Sequence, residues 1–530
     1  MMFEVSIQNS YPLGHLLLHK DNPFYSQRID TLNKIQDIFD DFTLDKNHQI
    51  QIPNTLAIIY LRQDNLQNAK DNPNNPKIPQ DVQLFAKKAQ ETFEVSLWEI
   101  DSIDFVDGHL GNFTLHSQEK KINFAQAVLF VEEENLARFR GFYRVADFLN
   151  PQLLLDTLQS NLGIYEYSEA ISYDSNLCQF HHRREKHCTK CVSVCPTFGV
   201  GANETLMELV FSPIDCIACG ACVGVCPTNC LEYEIFPKDA LEEIYPLLSQ
   251  NFIFLCDKKG YEELVKNQVT LPFNLFPLVL PTLKFLNEND FLTFLQASSR
   301  DLLVFYKGTL ENLDFVNNIT AACYHKKAIK QAYHFSEIES LSASLGEFES
   351  YLYKNRYNKS HRESFAQRVR FILKDKDYGL AKSVEPIFYG NIAIDESRCT
   401  LCLSCVGACN VNALFAKEED FSLRYNPSLC TTCGYCIASC PENIMELSKE
   451  GMLLREDYFQ SRKLAQDEPF RCVECGKVFA TKKSIDKITQ MLQNTFMQES
   501  DKLRTLQCCA DCKVKVMFQN NLGIQRNSNV

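Results

Sequence analysis

The chain has 530 residues, of which 45% are hydrophobic and 23% charged, and a formal net charge of −13. That length is more than one core can hold and predicts about three to five domains, while the ordinary apolar content excludes a largely disordered chain. The acidic balance argues against a nucleic-acid grip, which needs a basic face, and favours docking on basic patches of protein partners.

The opening residues MMFEVSIQNSYPLGH lack the basic head, apolar middle and cleavage site of a secretory leader. No apolar run nears the roughly 18 residues of a membrane helix, so no membrane insertion and a cytoplasmic location are expected. Twenty-four cysteines in such a chain point to metal thiolates in a reducing compartment rather than to disulfides.

Residues 1–165 read as an α/β domain with strands at Leu56–Arg62 and Ala127–Val131, a helix at Asp81–Phe93 and an exposed loop at Asn65–Pro79. No chemistry is assigned to it; a docking or scaffold role is the reading. Residues 166–238 carry Cys188, Cys191 and Cys195, then Cys216, Cys219, Cys222 and Cys226.

Residues 239–385 show apolar runs at Phe252–Leu255, Pro277–Leu280 and Leu302–Tyr306, with helical periodicity at Asp290–Ala297. This order predicts a small parallel sheet covered by helices. Nucleotide fingerprints are missing: GVGANE at Gly199–Glu204 lacks the third glycine and lies outside this segment, and no phosphate-loop motif occurs. Cys256, at a strand end, reads as a small buried side chain, and so does the isolated Cys323.

Residues 386–450 repeat the cysteine code 214 positions on, as Cys399, Cys402, Cys405 and Cys409, then Cys430, Cys433, Cys436 and Cys440. The spacing Cys-x2-Cys-x2-Cys-x3-Cys suits an iron–sulfide cube. Three close thiolates wrap three corners, and the fourth, turned away by the following proline, reaches the neighbouring cube. Both stretches resemble bacterial-type ferredoxin domains with two [4Fe-4S] clusters each, over 174–236 and 391–447. Asn410 departs from the usual proline, which touches only the local turn.

The resemblance implies the ligand sets. Cys399, Cys402, Cys405 and Cys440 form one, and Cys430, Cys433, Cys436 and Cys409 the next. In the first copy Cys216, Cys219, Cys222 and Cys195 are complete. The remaining set has Cys188, Cys191 and Cys226 but Glu185 where Cys399 stands in the repeat. Cys178, separated from Cys188 by nine residues, is favoured as the missing ligand, because closing a loop of this size costs little. His187, Glu185, a water or a three-iron cluster are the alternatives. The basic stretch His181, His182, Arg183, Arg184, Lys186 and His187 reads as a solvated loop that can also tune the adjacent cluster, and Cys230 as a packing residue within reach as a reserve ligand.

Residues 451–530 hold Cys472 and Cys475 in CVECGK and Cys508, Cys509 and Cys512 in QCCADCK. Two such pairs around a helix with Ile485, Ile488, Leu492 and Phe496 on one face fit a zinc-ribbon-like Zn2+ site of Cys472, Cys475, Cys509 and Cys512. Cys508 could replace Cys509, and a fifth iron–sulfur cluster is the rival occupant.

The fold class expected is α+β multidomain, with two dicluster units, an intervening small α/β domain, an N-terminal α/β domain and a zinc-ribbon-like tail. The function expected is a non-catalytic electron carrier with four [4Fe-4S] clusters and Zn2+, serving redox protein partners. The overall layout resembles large bacterial polyferredoxins that accompany formate dehydrogenase-like systems, which implies formate dehydrogenase or hydrogenase-like partners. A catalytic or bifurcating oxidoreductase subunit and an assembly factor for a partner oxidoreductase are the alternatives.

Overall fold

A computed structural model describes residues 14–42, 47–61, 78–117, 120–347, 360–493 and 500–521. The chain divides into two compact units. One comprises Met1–Asn287, Ala297–Leu310 and Lys330–Glu347, and the other Glu288–Gln296, Glu311–Ile329 and Phe348–Val530. Residues 239–385 of the sequence contribute to both.

In the first unit the run TLAIIY forms the strand Thr55–Tyr60, parallel to Glu94–Glu99 on one side and Gln126–Phe130 on the other. Phe142–Arg144 extends the sheet, also in parallel. Alternate residues of the central strand enter different cores. Leu56 and Ile58 pack with Val82, Phe85, Leu154 and Leu158 from the helices Gln80–Ala89 and Pro151–Ser160. Ala57 and Ile59 pack with Phe113 and Phe124 of an antiparallel three-stranded sheet. Cover on both faces is why the strand is apolar throughout rather than alternating. The helix expected at Asp81–Phe93 ends at Ala89, and most of the loop expected at Asn65–Pro79 lies outside the described residues.

A second sheet in this unit has Phe252–Asp257 between parallel partners Leu275–Leu280 and Leu302–Phe305, with Ile329–Ala332 next to the latter. These are the three apolar runs expected, and the expected helix spans Glu288–Ser298. Asp257 closes the central strand by accepting the Gly260 amide at 2.7 Å, so a carboxylate caps the helix Lys258–Lys266. Cys256 is fully buried in the core beside Phe254 and Phe305.

In the second unit the helix His361–Leu373 begins in a capping box between Ser360 and Glu363. It brings His361 against Glu288, which is almost fully buried. Glu288 Oε1 receives His361 Nε2 at 2.9 Å and the Tyr389 hydroxyl at 2.6 Å. The Arg362 guanidinium lies 3.7 Å from the centre of the Tyr389 ring, whose other neighbour is Phe315 at 4.7 Å. Burial alone would raise the Glu288 pKa, but His361, Arg362 and Tyr389 outweigh it and hold the carboxyl well below the usual range.

Removing one partner of such a network leaves a buried charge alone. Glu288→Ala should therefore destabilise the second unit by about 3–5 kcal/mol in thermal or urea unfolding. Because the folded pKa is depressed, this contribution is present above the unfolded glutamate value of about 4.3 and is lost as pH falls below it. The stability gap between wild type and Glu288→Gln should accordingly narrow on acidification.

Candidate metal centres

Each cysteine run of the second unit starts from a strand that ends in a capped turn. Asn391–Ile394 leads to Asp395, whose side chain accepts the Ser397 amide, then to the turn Glu396–Arg398 and Cys399. Ser422–Tyr425 leads to Asn426, which accepts the Ser428 amide, then to Pro427–Leu429 and Cys430. Beyond each cysteine the backbone turns left-handed twice, at Leu401 and Leu403 (φ 52° and 59°) and at Thr432 and Gly434 (φ 56° and 85°). These turns aim an amide back at the first sulfur: Thr432 N lies 3.4 Å from Cys430 Sγ, and Leu401 N bonds Cys399. Short helices Ser404–Ala408 and Tyr435–Ala438 then carry Cys405 and Cys436 inward.

The result brings distant thiols together. Cys399, Cys402 and Cys405 share one hollow with Cys440 from the other run, walled by Ile394, Leu423, Ile444 and Met445. Cys409 in turn lies beside Cys430 and Cys436. Burial raises the pKa of Cys430 and Cys436 and pushes Cys405 up to about 12. An apolar hollow disfavours a lone thiolate; several sulfurs converging there fit an iron–sulfur cluster, whose iron supplies the compensating charge.

In the first unit Cys195, Cys216, Cys219 and Cys222 line one hollow with Ile171, Val200 and Phe211. The other group contains Cys188, Cys191 and Cys226, with Cys178 beside them. Cys178 ends the turn Ser175–Leu177, which is capped by the Asp174 side chain, and its Sγ receives the Phe180 amide at 3.4 Å. Hydrogen bonds from Cys230 and the Phe180 and His181 amides, together with the nearby Tyr173 hydroxyl, outweigh burial and lower the Cys178 pKa to about 5. Cys226 is lowered in the same way when the single S–H of Cys230 turns to it instead. Cys188, by contrast, is pushed up to about 11 by burial.

Glu185 points outward with 70% of its side chain exposed. The basic stretch meets acidic partners on the neighbouring hairpin, His182 with Glu208 at 2.9 Å and Lys186 with Glu204 at 2.5 Å. His182 also stacks on His181, 3.9 Å between ring centres. Sequence reasoning gave Cys230 mainly a packing role; its Sγ in fact stands 3.4 Å from Cys226 Sγ. It also missed Tyr173 and Tyr425, whose buried hydroxyls stand beside Cys178 and Cys430 without a hydrogen bond of their own. The available signal was a tyrosine five positions before each cysteine.

In the tail, the hairpin Pro469–Arg471 and Val478–Thr481 carries a tight turn in which Gly476 (φ 73°) donates to the Cys472 carbonyl. The sulfurs of Cys472, Cys475, Cys509 and Cys512 all lie within 4.8 Å of one another, with Cys475 and Cys509 at 3.7 Å. Burial would raise the Cys472 pKa, but the amides of Cys509, Glu474 and Cys475 bring it down to about 6. Cys508 is turned aside and donates to the Arg504 carbonyl at 3.4 Å.

Residues 391–441 match the 4Fe-4S dicluster domain family, and 209–232 match the 4Fe-4S binding domain family. The chain is 33% identical over 67 residues to an uncharacterized ferredoxin of Methanocaldococcus jannaschii, a match covering 12% of this chain and 95% of that ferredoxin. Among the described residues no helix is long and apolar enough to cross a membrane. Two ferredoxin-type domains of the 4Fe-4S electron-carrier kind are thus present, and the chain belongs to the ferredoxin family.

Proposed function

We propose that the chain is a polyferredoxin that passes single electrons between oxidoreductase partners through four [4Fe-4S] clusters, with a structural zinc in its tail. The convergence of cysteines from two separate runs on one apolar hollow carries this reading. Cys399, Cys402, Cys405 and Cys440 would hold one cluster, and Cys430, Cys433, Cys436 and Cys409 the second. Cys216, Cys219, Cys222 and Cys195 would hold a third, and Cys178, Cys188, Cys191 and Cys226 the fourth. Each bound cluster supplies a one-electron couple. The protein's part is to bury the sulfurs, aim amides at them and keep water away.

Local geometry supports Cys178 as the fourth ligand. Cys178, Cys399 and Cys430 each follow a three-residue turn capped by an Asx side chain, with nearly the same backbone angles (φ −72°, −71° and −69°). Cys178 and Cys430 each receive the amide two residues on at 3.4 Å. The departure comes after Cys178, where residues 179–187 stand in place of a two-residue spacer. Cys178→Ser should perturb one cluster only, seen as a three-iron EPR signal or a loss of about four iron. Full iron in Cys178→Ala together with cluster loss in His187→Ala would exclude the assignment.

Sulfur spacing favours zinc in the tail. Four thiolates about 2.3 Å from a tetrahedral ion stand about 3.8 Å apart, which the Cys475–Cys509 separation of 3.7 Å matches. A cluster places its ligands outside an iron–sulfide cube and spreads them further. Among the described residues the ferredoxin-type quartets are not gathered this tightly. Anaerobically purified protein should contain about 16 iron and about one zinc per chain. The double variant Cys472→Ser, Cys475→Ser should lose the zinc and keep the iron; iron loss would place a cluster there instead.

The partner class follows from the resemblance of the layout to polyferredoxins of formate dehydrogenase-like systems, and the charge of −13 favours a partner with a basic patch. Anaerobic affinity capture at low salt should retain a formate dehydrogenase or hydrogenase-like enzyme that high salt releases. A stoichiometric flavin in the purified chain would favour a catalytic subunit instead, and a partner enzyme left unassembled when this chain is deleted would favour an assembly factor.

A further inference from the structure

The quartet of Cys178, Cys188, Cys191 and Cys226 differs from the others in what surrounds its sulfurs. The buried Tyr173 hydroxyl stands beside Cys178 Sγ and makes no hydrogen bond in the structure, so it is available to turn to that sulfur. Cys230 Sγ lies 3.4 Å from Cys226 Sγ and also within hydrogen-bond reach of Cys178. Thr228 Oγ1 lies 3.7 Å from Cys226 Sγ. A metal-bound thiolate carries no proton and can only accept, so Tyr173, Thr228 and Cys230 must donate. Cys230 has a single S–H and serves one sulfur at a time.

Hydroxyls also stand near sulfurs of the other quartets, but among the described residues no second thiol of the Cys230 kind is placed beside them by the repeat. Thr197 lies 3.7 Å from Cys195, Ser404 3.5 Å from the exposed Cys402, and Tyr425 stands beside Cys430. Where Cys230 stands in the first copy, the second has Ile444. Hydrogen bonds to ligand sulfur favour the more negative, reduced cluster and raise its potential, and they are strong in a dry site.

We propose that Tyr173, Thr228 and Cys230 are positioning residues that raise the reduction potential of this one cluster above the other three, making it the place where an electron rests. The inference depends on the reading that this quartet holds a cluster. Taking up the electron makes or breaks no bond, and the three donors keep their protons.

The test is an anaerobic redox titration of the full-length chain followed by EPR, with iron measured on each sample. The signal belonging to this quartet is the one that Cys188→Ala removes. In the wild type it should be the first to appear on reduction. Tyr173→Phe and Cys230→Ala should each retain full iron and lower the reduced-to-oxidised ratio of this cluster about tenfold at a fixed potential, which is about 59 mV for a one-electron couple. Cys230→Ser, which keeps a donor, should restore most of the shift. Unchanged potentials at full iron would overturn the proposal and leave the four-cluster reading standing, and loss of about four iron in Cys230→Ala would overturn it by making Cys230 a ligand. A wild-type chain with iron for fewer than four clusters and no signal removed by Cys188→Ala would instead defeat the underlying reading.

Discussion

The burial of thiols in apolar hollows is the constraint on which the rest of this structure depends. A thiolate is costly in such a place, and burial pushes Cys188, Cys405 and Cys430 toward the neutral thiol. Bound metal reverses that preference, because it supplies the positive charge that the hollow lacks. The capped turns before Cys178, Cys399 and Cys430 and the left-handed turns beyond Cys399 and Cys430 serve the same end. They bring backbone amides to the sulfurs, so that the sulfur charge is met by fixed dipoles.

The tail solves a related problem at closer quarters. Its four sulfurs sit within a single ion's reach, and three amides already hold Cys472 toward the thiolate form. The glycine at Gly476 matters there because its positive φ lets the chain double back behind Cys475. Away from the metal centres, the second unit commits a carboxylate to its interior: Glu288, His361, Tyr389 and Arg362 form one network among aromatic rings. Buried charge of this kind adds little net stability over an apolar replacement, but it penalises any packing that leaves a member unpaired.

Among the described residues the middle α/β sheet uses its polar strand end for its own structure. In the middle sheet the strand end where an α/β protein commonly receives a phosphate is taken by Asp257, which caps the next helix with its own carboxylate. Cys256 beside it is sealed in the core.

The sequence by itself determined the cysteine code and its period, because cluster ligation is written in short fixed spacings that need no knowledge of the rest of the chain. It also located strands at Leu56–Arg62, Phe252–Leu255 and Leu302–Tyr306, seen at Thr55–Tyr60, Phe252–Asp257 and Leu302–Phe305, since strands buried on both faces read as continuous apolar runs. Tertiary structure decided what spacing cannot encode. It brought Cys178 beside Cys188 and Cys226 across an insertion, turned Glu185 out to solvent, and set Cys509 rather than Cys508 among the tail thiols. It also placed Tyr173, Tyr425 and Cys230 against sulfurs, and Glu288 against His361 far along the chain. These contacts depend on how loops and strands pack in three dimensions, and no local period of the sequence carries that information.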